Sequence, residues 1–98
     1  MAHQFHITCG HSGGWVQGKI DGYHFEAKVF DEPSRFGIHE GRTSKLMIWD
    51  EAKRLRTRNI SSACIMNYDR GWDIEPKPEH TELVKALVAY LEALPITD

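Results

Sequence analysis

A chain of 98 residues can build one hydrophobic core and is too short for two. Its apolar and charged fractions, 41% and 27%, are those of an ordinary globular domain. A net charge of −2 excludes any overall attraction to nucleic acid or anionic membrane, so such binding would have to come from a local patch.

Cys9 and Cys64 are far apart and form no C-x-x-C pair, which argues against a disulfide framework or a zinc ribbon. The start, Met-Ala-His-Gln-Phe-His, lacks the charged and apolar regions of a secretory leader, and no run is long enough to span a bilayer. Reduced thiols and these absences lead to the expectation of a cytoplasmic protein with no membrane association. The expected organisation is a flexible N-terminal segment, 1–14, followed by a single α+β domain, 15–98.

Residues 1–14 are polar and end in His11-Ser12-Gly13-Gly14. Phe5 and Ile7 alternate with polar residues, which allows a short extra edge strand. His6, Cys9 and His11 concentrate metal-binding atoms, but zinc needs four ligands at tetrahedral geometry. On a strand, His6 and Cys9 would face opposite sides, so a solvated tail is the simpler reading and no metal or other cofactor is expected.

Residues 15–20 and 23–30 flank Asp21-Gly22, a dipeptide suited to a type I′ turn. A two-residue turn opposes Ile20 to Tyr23, Gly18 to Phe25 and Val16 to Ala27 on one face. Lys19 with His24, Gln17 with Glu26 and Trp15 with Lys28 fall on the other. The first set is apolar and the second largely polar, as a half-buried antiparallel pair requires.

Residues 31–44, with Pro33, Gly37 and Gly41, show no alternation and predict a long connection. Residues 45–50 alternate again as a third strand, and 63–68 form a fourth. Between them, 51–58 carries four basic groups against one acid and predicts a basic loop with at most a helical turn.

Asp69-Arg70-Gly71 reads as a tight turn in which Gly71 takes positive φ. Trp72 follows as an anchor burying the junction with the last helix, the minority alternative being a contact site formed with Arg70. Pro78 suits a first helical position, Glu79 and Glu82 suit the positive end of the dipole, and Pro95 ends the helix. Leu83, Leu87, Tyr90, Leu91 and Leu94 share one face. The predicted architecture is an antiparallel four-stranded meander with this C-terminal helix packed across one face.

The segments 25–31 and 36–46 and the run Asn67-Tyr68-Asp69-Arg70-Gly71-Trp72-Asp73 resemble a family of small uncharacterised bacterial and phage proteins. The resemblance covers residues 15 to 94, and Tyr-Asp-Arg-Gly-Trp-Asp is its most specific part. It implies a similar order of segments and a short C-terminal helix. It implies no activity, substrate or catalytic residue.

No G-x-S-x-G, H-E-x-x-H or phosphate-loop pattern occurs. The glycine-rich stretch 10–14 leads into a strand and not into a helix N-terminus, so it makes no phosphate cradle. Arg42, Asp69, Arg70 and Asp73 form the candidate polar site of an enzyme reading, weighed against ordinary surface ion pairs. Lys53, Arg54, Arg56 and Arg58 are the candidate nucleic-acid contacts, without aromatics between them to stack bases.

The reading favoured by the sequence is non-enzymatic. By parity, the sheet face that the helix leaves open presents Trp15, Phe30, Met47 and Trp49 among Lys19, His24, Glu26, Lys28 and Lys45. That much apolar surface suggests binding of a protein partner or a homodimer, unless the N-terminal segment folds over it.

Overall fold

A computed structural model of the chain describes residues 5–9, by backbone alone, and 14–94. Six strands follow one another in space as in sequence, each antiparallel to the next: β1 (Phe5–Cys9), β2 (Trp15–Ile20), β3 (Tyr23–Val29), β4 (Thr43–Trp49), β5 (Cys64–Asp69) and β6 (Trp72–Ile74). Between β4 and β5 lie α1 (Glu51–Thr57) and α2 (Ile60–Ala63), and the chain closes with α3 (Thr81–Glu92). The architecture is α+β, as the sequence predicts, with two edge strands beyond the four expected. One is β1, the extra strand that the Phe5/Ile7 alternation allowed. The other, β6, is three residues long, too short for alternation to reveal.

The β2–β3 hairpin has the expected register at all its pairs, from Ile20 with Tyr23 to Trp15 with Lys28. Asp21 (φ 49°) and Gly22 (φ 87°) both lie in the left-handed region, which defines the type I′ turn whose twist matches the strands. The β5–β6 turn corrects the sequence reading. Arg70 and not Gly71 takes the positive φ, at 58°. The Arg70 N–H donates to the Ser44 carbonyl at 2.8 Å, so docking against the start of β4 fixes that conformation.

One sheet face is apolar because alternate residues of each strand point to it. Val16, Ile20, Phe25, Ala27, Leu46, Ile48 and Met66 are buried there, and Leu83, Leu87 and Leu91 of α3 close over them. Pro78–His80 is a 3₁₀ turn, so the α-helix begins three residues later than Pro78 suggested. The 31–42 connection doubles back with Ser34 N–H on the Gly41 carbonyl at 3.1 Å. A Cβ on Gly37 would stand 2.0 Å from that same oxygen, so only glycine fits.

The predicted basic loop is instead helical. Asp50 caps α1 by accepting from the Lys53 N–H at 3.2 Å, and Arg58 closes it in the left-handed conformation. Asn59 then caps α2, accepting from Ser61 N–H at 3.0 Å. No residue of α1 is buried, so it carries no apolar stripe for periodicity to detect.

Candidate functional site: the open sheet face

With α3 on one side, no helix among the described residues covers the other side of the sheet across β2 and β3, and the registers line its side chains into rows. Trp15, Lys28, Lys45 and Asp69 stand abreast on β2 to β5. Gln17, Glu26, Met47 and Asn67 form the next row. Lys19, His24, Trp49 and Cys64 form the third. A groove of about 340 Å³ runs over the rows, walled by Trp15 and by Trp49 with Ile60 of α2, and floored by Met47, Glu26 and Asn67.

Trp15 and Phe30 are 37% and 48% exposed, far more than such rings show in a core. Lys28 Nζ lies 5.3 Å from the Trp15 ring centre and 5.5 Å from that of Phe30. Lys45 Nζ lies 5.9 Å from the same tryptophan and 3.8 Å from an Asp69 oxygen. Two lysines directly opposite on neighbouring strands repel one another. The Trp15 ring and the Asp69 carboxylate offset that repulsion.

Trp49 is held differently. Its indole N–H donates to Glu51 Oε1 at 3.2 Å and its ring lies 5.8 Å from His24. The Arg54 side chain, foremost, and the Trp49 N–H keep the Glu51 carboxyl below its usual range against the opposing effect of burial. Trp49 and Met47 are half-buried. Of the four predicted partner-binding residues, the structure therefore places all on one face but exposes two strongly. The backbone of β1 pairs with the outer edge of β2, so this strand extends the sheet and does not lie across the face. Sequence reasoning did not single out Ile60, Asn67 or Asp69 as groove residues. Asn67 and Asp69 share the parity of Met47 and Lys45 through the β4–β5 register, whereas Ile60 precedes its strand and carried no signal.

The candidate polar site is not assembled. Arg42 turns to the far end of α3, donating through Nε to the Phe30 carbonyl and through one terminal nitrogen to the carbonyls of Glu92 and Leu94, all at 2.8 Å. Asp69 meets Lys45 and Arg70, and Asp73 accepts from the Asn67 amide at 3.0 Å. Among the candidate nucleic-acid contacts, Arg54 is ion-paired to Glu51. Lys53 is half-buried, Arg56 and Arg58 are exposed, and Leu55 stands 64% exposed between them.

Trp72 does not bury a junction with the helix. It sits on β6, 43% exposed, with its ring edge-on to Tyr68 at 5.1 Å. Burial, and then the nearby Asp73 charge, push the Cys64 thiol up, which makes it a poor nucleophile at neutral pH. No group of three or more His, Cys, Asp or Glu side chains among the described residues is placed to hold a metal ion. The side chains of His6 and Cys9, and all of His11, lie outside the described residues. No described helix is long and apolar enough to cross a membrane.

A family model described as "Domain of unknown function (DUF7678)" matches residues 14–92. No curated protein and no solved structure gives a match.

Proposed function

We propose that this chain, which belongs to the DUF7678 family, is a non-enzymatic protein-interaction module that works through the open face of its sheet. The observation that carries the reading is the groove between Trp15 and Trp49, in which apolar walls surround a floor of mixed polarity. Protein-binding patches have this make-up, with aromatic and methionine side chains at the centre and charged groups at the rim. Lys19, Lys28, Lys45 and Asp69 supply such a rim. The engagement of Arg42 by main-chain carbonyls weighs against an enzyme built on Arg42, Asp69, Arg70 and Asp73. The pairing of Arg54 with Glu51 and the lack of aromatics in α1 weigh against the nucleic-acid reading through Lys53, Arg54, Arg56 and Arg58.

Photo-crosslinking in the producing cell tests the proposal. A benzoylphenylalanine probe at Trp15 or Met47 should give a discrete protein adduct, and the same probe at Lys85 or Ala89, exposed on α3, should not. Equal labelling at both sets, or none at Trp15 and Met47, would overturn it.

A further inference from the structure

We infer that the occupant of the open face is a second copy of this chain, related by a two-fold axis that runs along β4. The inference rests on the interaction reading above and names its partner.

Charge decides both the partner and the axis. The two halves of the face carry opposite net charge. Lys19 and Lys28 on β2 and β3 outnumber Glu26 of β3, whereas Asp69 at the end of β5 and Asp73 on β6 outnumber Arg70 of the turn between them. A two-fold rotation about an axis parallel to the strands lays the β2–β3 half of one copy over the β5–β6 half of the other, so the basic half meets the acidic half twice. With the axis on β4, the row order sets Lys28 over Asp69 of the second copy and Glu26 over its Asn67 amide, with Met47 packed against Met47 at the centre. Trp15 then reaches towards the β5–β6 turn, where Arg70 is exposed and can stack on the ring.

The competing placements are worse. An axis midway between β3 and β4 sets Lys28 over Lys45 on both sides, four ammonium groups in one row. An axis across the strands at the middle row sets Glu26 on Glu26. The chosen axis leaves one like pair, Lys45 with Lys45, and each of these is already 3.8 Å from its own Asp69. The two sheets would stack as an aligned sandwich about 10 Å apart.

The test is charge reversal in the full chain. The unaltered protein should sediment as a dimer at about 100 μM, a range in which interfaces of modest affinity are populated. Lys28→Glu and Asp69→Lys, made separately, should each weaken the dimer by about tenfold or more, since each puts like charges together twice. Mixed in equal amounts, the two variants should form a heterodimer. The introduced glutamate of one copy then faces the introduced lysine of the other, and the unaltered Lys28 of the second faces the unaltered Asp69 of the first. Circular dichroism of each variant confirms that it is folded. Should either fail to fold, Lys28→Gln against Asp69→Asn reads the same contacts without reversal.

A monomer at that concentration, or no heterodimer from folded variants, would overturn the inference. If the chain is monomeric while the Trp15 probe still gives an adduct of another mass, the dimer is wrong and the interaction reading stands. If no adduct forms at all, both fall.

Discussion

Arg42 and Glu92 grip each other in both directions. The Glu92 carboxylate accepts from the Arg42 main-chain N–H, and the Arg42 guanidinium donates to the Glu92 main-chain carbonyl, each at 2.8 Å. The same carboxylate takes the Thr43 N–H and hydroxyl at 2.7 Å. One acid thus ties the C-terminus of α3 to the first residue of β4, and one base satisfies carbonyls that a helix end would otherwise leave unpaired.

A pH dependence follows from that pair. Burial pushes the Glu92 carboxyl up, but the donors of Arg42 and Thr43 and the Arg42 charge outweigh it and hold the carboxyl below its usual value of 4.5. A group depressed in the folded state contributes stability above its unfolded value and loses it as pH falls through the folded one. Glu92→Gln should therefore destabilise the protein at pH 7 by about 2 kcal/mol. It should also flatten the loss of stability between pH 5 and the acid limit. Parallel acid limbs for variant and parent in urea titrations would show that Glu92 is not the titrating group.

The two turn glycines should behave in opposite ways. A Cβ on Gly22 would meet no atom within 4 Å, so the cost of Gly22→Val is backbone strain alone, about 1 kcal/mol or more. Gly22→Asn should recover most of it, because asparagine tolerates the left-handed region. At the β5–β6 turn, Arg70→Gly should stabilise by about 1 kcal/mol and Gly71→Ala should be nearly neutral. A larger loss at Gly71 than at Gly22 in denaturant midpoints would place the strain on the wrong residue.

How the sequence spoke at these places explains what it concealed. The Asp21-Gly22 hairpin was legible to the residue, because parity and turn type independently demand one register. The α3 stripe was legible because burial wrote it: Leu83, Leu87 and Leu91 are all covered. α1 was not, since capping by Asp50 and Arg58 holds a helix without an apolar face. Nor was the separation of Arg42 from Asp69, which depends on where a long connection folds. The exposed face was legible as a list of residues but not as a groove, because Ile60 reaches it from outside the strands.

The basic stretch gives a discriminating result for the nucleic-acid alternative. Because no residue of α1 is fully buried, replacing Lys53, Arg54, Arg56 and Arg58 with Ser should leave the fold intact. Under the interaction reading, parent and variant alike should fail to retard single- or double-stranded DNA or RNA at low salt. A shift by the parent that the variant loses, and that weakens steeply as salt rises, would move the function to this helix.

The two tryptophans of the open face should separate binding from folding. Trp15 stands at the rim, its ring against the ammonium groups of Lys28 and Lys45, and exposed cation–π contacts contribute about 0.5–1 kcal/mol each. Trp15→Ser should therefore lower stability by about 1–2 kcal/mol while removing an anchor that interfaces rely on. Trp49 is half-buried, bonded to Glu51 and packed on His24, at the point where β4 hands over to α1. Trp49→Ser removes a large apolar contact and leaves the Glu51 carboxylate one donor short, so its loss should be about 3 kcal/mol. Trp49→Glu should be worse still, setting a second carboxylate beside Glu51. Denaturant midpoints and crosslinking yield, read on the same variants, give the answer. Trp15→Ser should abolish the adduct from a Met47 probe in a protein that stays folded and is clearly more stable than Trp49→Ser. Equal destabilisation by Trp15→Ser and Trp49→Ser would mean that both rings serve the fold and that the groove has no separate role.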